Sequence, residues 1–316
     1  MKKYTVYAAS CREDGGIYKY DLSEEGRLTS VASIRLDRPM YFVKEGGSIH
    51  TLLRAPEGFG GNSGYLEVSP DLTRVSEISS TDGVVACHLA AVREGVYAVN
   101  YLSGSVARIG GITVTHGRSE YNHPGRQDMP HTHFVGETPD GKYLVVCDLG
   151  LDKVFIYDKE LNPVSDVSLP QGSGVRHLVF SKDGKYAYTA NELDSSTSVL
   201  AYADGELALL STVCPELTAG ENYPAAIRLS PSGDRLYVSQ RGMDAVSIYD
   251  VDGDRLTFLC NVSTHGSYPR DIALTPDGRF ILAACEGGRL TVLDSLSDYA
   301  PVDSVELPSA LCVYCE

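Results

Sequence analysis

Residues 176–192 read Arg-His-Leu-Val-Phe-Ser-Lys-Asp-Gly-Lys-Tyr-Ala-Tyr-Thr-Ala-Asn-Glu, and this stretch decides the fold. It opens with a short apolar run, turns over four residues ending in Gly184, alternates apolar and polar residues from Tyr186, and stops on Asn191-Glu192. Period-two alternation on either side of a glycine-closed turn predicts a β-hairpin. The same sentence is spelled three more times, at 133–148, 225–241 and 270–286, each with Gly closing the turn and a polar residue closing the second run. A third strand-like run follows every copy: Lys153–Asp158, Ser198–Ala203, Ala245–Asp250 and Arg289–Asp294. A fourth, more polar run closes most units, as at Glu206–Cys214.

Working outward, two weaker copies start at Met40 and Cys87, and a seventh first strand stands alone at Ser309–Glu316. Its missing partners lie at the other end of the chain, in Lys3–Ala9 and Gly16–Asp21. The first strands therefore begin at 40, 87, 133, 176, 225, 270 and 309, a period of 39 to 49 residues with no helical pattern between them. Four strands per period predict an all-β, seven-bladed β-propeller of four-stranded antiparallel blades. The N- and C-terminal strands share one blade and close the ring, so residues 1–316 are read as one domain.

Composition agrees. The 316 residues include 31 Gly, 15 Pro, 20 Tyr and 7 Phe with no Trp, a turn-rich and strand-favouring mix. A formal charge of -15 argues against nucleic acid or an anionic membrane surface as partner. An anionic ligand would have to be met by a local cluster drawn from only 27 Lys and Arg. No apolar run approaches membrane-spanning length. The opening residues are too polar for a secretory segment, and the eight scattered cysteines read as buried reduced thiols. The expectation is a cytoplasmic protein. Cys312 and Cys315 have redox-motif spacing but no strand-to-helix junction, so they carry no such reading.

In a propeller the start of strand one and the end of strand two meet at the same mouth of the channel. The first slot collects Met40, Cys87-His88, His133, Arg176-His177, Ala225, Arg270 and Ser309; the second collects Arg54, Asn100-Tyr101, Asp148, Asn191-Glu192, Gln240-Arg241 and Glu286. Arg126–His133 runs into the same rim. Arginines, histidines and carboxylates converging on one channel point to chemistry on a small anion, whereas an interaction scaffold would spread its contacts over an outer rim. Asp250–Asp254 lacks the later ligands of a calcium loop and reads as a plain turn. His131-Thr132-His133 has a spacing that a regular strand would put on one face, but the neighbouring arginines would repel a cation, so no metal and no cofactor is expected.

Several of these stretches resemble the lactonase family of seven-bladed propellers, which holds cycloisomerase-type 6-phosphogluconolactonases and a fungal carboxymuconate lactonizing enzyme. They are Asn100–Val106, Arg126–His133, Asp148–Asp152, Gly172–His177, Asn191–Leu193, Ser239–Gly242 and Tyr268–Arg270, in order along nearly the whole chain. The chain departs from the family at Val175, Ala225, Cys285 and Ala9–Cys11. The resemblance implies metal-independent chemistry on a lactone or carboxylate, most simply hydrolysis of 6-phosphogluconolactone. Reversible lactonization of a carboxylated diene acid is the other enzymatic reading. It further implies that Arg176, Glu192, Arg241 and a histidine of the His131/His133 pair form the reactive group. Glu192 is expected as the base, with His133 next, Asp148 orienting His133, and Arg176, Arg241 and Arg270 holding the anion. His88, Asn100, Arg126, His131, Asp148, His177, Asn191, Gln240, Arg270 and Glu286 are expected to bind substrate.

Overall fold

Seven four-stranded antiparallel sheets make up the molecule in a computed structural model that describes residues 2–118, 125–218 and 220–316. Six sheets run in chain order from inside to outside. Their inner strands are Pro39–Glu45, Ala86–Val92, Thr132–Glu137, Val175–Phe180, Pro224–Leu229 and Pro269–Leu274, which define blades 1 to 6. Blade 7 is composite: Ala310–Cys315 forms its inner strand, and Lys2–Ser10, Gly16–Ser23 and Leu28–Arg35 complete it outward. Each inner strand packs on the next around the ring, ending with that of blade 7 against that of blade 1. The expected starts are each met to within one residue.

Burial explains the alternation. Second and third strands sit between neighbouring blades and are buried on both faces, as in Leu144–Asp148 and Phe280–Cys285, where every residue is buried. Fourth strands are half-exposed edges, and their polar runs follow from that. The apolar core is accordingly a set of clusters wedged between blades, such as Tyr188, Val199, Ile227, Val238 and Tyr249. Asp250–Asp254 is the hairpin expected, in the turn joining Ala245–Asp252 to Arg255–Ser263. All eight cysteines are free, four of them buried and two, Cys214 and Cys260, exposed.

Candidate active site at one mouth of the channel

Every inner strand carries a β-bulge at its first turn. Pairing skips from Pro39 to Tyr41, Ala86 to His88, Thr132 to Phe134, Val175 to His177, Pro224 to Ile227, Pro269 to Asp271 and Ala310 to Cys312. A bulge releases one residue from the ladder and re-aims its side chain. The residues released are Met40, Cys87, His133, Arg176, the pair Ala225 and Ala226, Arg270 and Leu311. All but the two alanines line cavities along the channel.

A second ring is built from the residue that follows each second strand. Cys11, Arg54, Tyr101, Leu149, Glu192, Arg241 and Glu286 each donate a backbone N–H to the carbonyl two residues before the bulge of the same blade. Of these seven, Arg54, Tyr101, Glu192 and Arg241 line the cavity at the channel mouth. The residue one step earlier points the other way, because side chains alternate along a strand. Asn100, Asp148, Asn191 and Gln240 are therefore fully buried inside their blades, hydrogen-bonded to Thr81 and Ser105, to His116, to Ser196 and Ser198, and to Asn222 and Ser247 respectively. They do not reach the mouth. The expectation that Asp148 orients His133 is corrected: one Asp148 oxygen lies 2.6 Å from Nδ1 of His116 and the other accepts the backbone N–H of His131. His116 is held in turn by the Tyr157 hydroxyl, 2.9 Å from Nε2.

The mouth opens into a cavity of about 380 Å³ lined by Arg54, Arg126, Arg241 and Arg270, by Glu192 and His133, and by Tyr101, Tyr268, Met40 and Cys87 among others. Glu192 lies at its floor, 3% exposed, and three guanidiniums converge on its carboxylate. Arg241 Nη2 is 2.6 Å from Oε2, Arg176 Nε is 3.1 Å from the same oxygen, and Arg126 binds Oε1. Burial alone would raise the Glu192 pKa, but Arg241, Arg176 and Arg126 outweigh it and hold the group near 2. Arg176 is buried too; its Nε meets Glu192 as an ion pair without hydrogen-bond geometry, and its Nη1 donates to the Ala225 carbonyl at 2.7 Å. Burial, and then Arg241, lower its pKa to about 9. Arg241 packs between the rings of Tyr223 and Tyr268, 5.8 and 5.4 Å from their centroids.

Arg270 pairs with Glu286 at 3.3 Å on the rim. Arg54 is exposed and pairs with no acid among the described residues. The cavity wall thus carries four arginines against one glutamate, in a chain of net charge -15. Such a local excess of positive charge favours an anion over a cation.

His133 and His131 do not share a face, because the bulge between Thr132 and Phe134 breaks the alternation. They flank Tyr101 instead. His131 stacks on its ring at 4.3 Å and points Nδ1 at the Tyr101 carbonyl, while His133 meets the ring edge-on at 5.7 Å and faces the cavity. Burial, then Arg176 and Arg270, push the His133 pKa well below its usual value, so the ring is neutral at pH 7. His88 and His177 are buried one step deeper in the channel, below the mouth. No cluster of three or more His, Cys, Asp or Glu suited to a metal is found among the described residues.

Of the sequence-derived site residues, Arg126, His133, Glu192, Arg241 and Arg270 meet at the mouth, with Arg176 beneath and Glu286 on the rim. Arg54, Tyr101 and Tyr268 also line the cavity without being among the expected catalytic or substrate-binding residues, although Arg54 and Tyr101 occupy the second slot. Parity separates Asn100 from Tyr101 and Gln240 from Arg241, and parity was the missing signal.

Comparison with known proteins bears on the chain as a whole. The family model described as "Lactonase, 7-bladed beta-propeller" matches residues 5–294. An uncharacterized protein of Staphylococcus epidermidis is 31% identical over 92% of this chain and 81% of its own. One from Staphylococcus aureus is 30% identical over 85% and 75%. Among solved structures, a Lactobacillus plantarum protein superposes with TM-score 0.88 at 28% identity, covering all of both chains. The periplasmic gluconolactonase of Pseudomonas aeruginosa superposes with TM-score 0.86 at 25% identity, over 99% of this chain and 98% of that one.

Proposed function

For a chain that belongs to the lactonase family of seven-bladed β-propellers, we propose hydrolysis of an anionic sugar lactone, 6-phosphogluconolactone foremost, at the arginine-lined mouth. The observation that carries this reading is the carboxylate of Glu192 bound by three arginines beside a neutral His133. Ester-type hydrolysis needs a group that accepts a proton from water and fixed positive charge where the oxyanion develops. Both are within one cavity.

Glu192 is the weaker choice of base, since three guanidiniums hold it near pKa 2 and occupy both its oxygens. Its role is to fix Arg126, Arg176 and Arg241 as a rigid cationic floor. His133 takes the proton. In the forward step a water oxygen bonds to the lactone carbonyl carbon and its proton passes to His133. The carbonyl oxygen becomes an oxyanion facing the arginines. The acyl–oxygen bond of the ring then breaks, the departing ring oxygen takes the proton back from His133, and the new carboxylic acid releases its own proton to solvent. One water is consumed and one proton appears. A phosphate or carboxylate elsewhere on the substrate is met by Arg54 and Arg270, each charge-assisted contact contributing about 1.5–3 kcal/mol.

The test follows proton release from freshly prepared 6-phosphogluconolactone and from unphosphorylated gluconolactone in weak buffer, against the spontaneous rates. Saturable acceleration, stronger for the phosphorylated lactone, is expected. A rate equal to the spontaneous one for both substrates overturns the reading.

A further inference from the structure

For Nε2 of a neutral imidazole to accept a proton, the ring must carry its hydrogen on Nδ1, and that hydrogen needs an acceptor. Nδ1 of His133 is sealed from solvent and has no protein partner within hydrogen-bond reach. His133 also lines a small cavity of about 20 Å³, together with Arg176, His177, Tyr41, Asp271 and others. Also without a hydrogen-bond partner are Nδ1 and Nε2 of His177, both buried. Buried polar atoms are rarely left this way in a folded protein. Three unpartnered imidazole nitrogens around one small polar cavity are the mark of an internal water site, and the volume suits a single water.

We infer that this cavity holds a water bridging Nδ1 of His133 to His177, and that His177 thereby fixes the tautomer of the mouth histidine. The catalytic part of the inference rests on the hydrolase reading above; the water and the tautomer do not. Ring positions fit. His177 lies edge-on to His133 with centroids 5.3 Å apart and no direct hydrogen bond from His133 Nδ1 or either His177 nitrogen, an arrangement suited to one bridging molecule. Its other side meets His88 at 5.1 Å, whose own Nδ1 faces the backbone N–H of Val135, and Phe134 at 5.6 Å. All three imidazoles are neutral at pH 7, burial being the first cause in each. His177 can therefore offer the water an acceptor nitrogen and still donate from the other. His177 touches no substrate; it is a positioning residue.

The corresponding position in blade 3 is Phe134, so a phenyl ring is already accepted in that layer of the channel. His177→Phe keeps the ring and removes both nitrogens. Three readouts on the intact protein test the inference. In a high-resolution crystal structure of the parent, a water within hydrogen-bond distance of both His133 Nδ1 and His177 is expected; clear density with no water there overturns the site whether or not lactones are turned over. By ¹⁵N NMR, His133 of the parent is expected as the Nδ1–H tautomer, shifting toward Nε2–H in His177→Phe; an unchanged tautomer overturns the role of His177. In kinetics, kcat is expected to fall at least tenfold with KM held, and Tm to stay within a few degrees because the ring and its packing are kept. A lower Tm with unchanged kcat would mean that His177 only packs the channel. Failure of the parent to hydrolyse lactones, with water and tautomer as expected, would sink the hydrolase reading and leave the water site standing.

Discussion

The two faces of the ring obey opposite rules. On the face away from the mouth, the turns between first and second strands repeat one solution. In blade 3, Thr138 Oγ1 donates to Asp140 and accepts the N–H of Tyr143, while Asp140 accepts that of Lys142. Blade 4 repeats it with Ser181, Asp183, Tyr186 and Lys185, and blade 6 with Thr275, Asp277, Phe280 and Arg279. Each glycine that closes these turns, such as Gly184 at φ 71°, adopts a backbone conformation that other residues resist. At the mouth, by contrast, only the backbone repeats. The sevenfold hydrogen bond and the bulge recur in every blade, while the residues they carry range over Cys, Arg, Tyr, Leu and Glu in one ring and Met, Cys, His, Arg, Ala and Leu in the other. Where the chain copies itself it is building the ring; where it stops copying, on an invariant backbone, it is building a site.

Breaking the ring itself should have the largest effect and erase both faces at once. Deleting Pro308–Glu316 removes the inner strand of blade 7, and with it the pairing to Lys2–Ser10 and the packing against blades 6 and 1. Loss of any cooperative thermal transition is expected by calorimetry.

Acid comes next. His88, His133 and His177 are neutral in the folded channel, with pKa values pushed well below 6.5, so the unfolded chain binds protons that the folded one refuses. Their contribution is complete above about pH 6.5 and is lost as pH falls, at about 1.4 kcal/mol per histidine per pH unit. Glu192, depressed instead from 4.5 to about 2, adds stability above 4.5 that drains away between those values. A Tm that declines steadily from pH 6.5 and steepens below 4.5 is expected, and a flat profile down to pH 5 would contradict the neutral channel.

Glu192→Gln should follow, since it leaves three guanidiniums around an uncharged amide. Loss of about 3 kcal/mol in denaturant unfolding and at least a 10²-fold fall in turnover are expected together, because the arginines lose the charge that positions them. Arg54→Gln should be milder and confined to binding: KM for the phosphorylated lactone rises about tenfold with kcat unchanged, and the unphosphorylated lactone is unaffected. Smallest of all is Asp140→Ala on the far face, which should lower Tm by a few degrees at most and leave kinetics alone. A kinetic effect there would blur the division between the two faces.

The same division explains what was legible in the sequence. The ring is written in repeated turns and alternation, so blade count, strand order and the composite closing blade could be read from the copies alone. The site is written in departures, and the first slot located Arg176, His133 and Arg270 correctly because the register is shared. Two physical details are invisible to periodicity. The bulge at the start of each inner strand separates His131 from His133, which a regular strand would have set side by side. The half-turn between a strand's last residue and the next sends Asp148 and Asn191 into the blade while Glu192 and Arg241 reach the mouth. Arg54 sits in a blade whose first turn no longer matches the repeat, and its slot alone does not separate a rim arginine from a plain polar strand end.

The composite blade also sets an order of events during synthesis. Lys2–Ser10 emerges from the ribosome before any other strand described, yet its inner partner, Ala310–Cys315, is made only after six whole blades. Throughout that interval the nascent ring is an open arc, with one bare strand edge of the kind that recruits other chains. Chaperone dependence and aggregation during expression should therefore track the translation time of the intervening blades more closely than the stability of the finished protein.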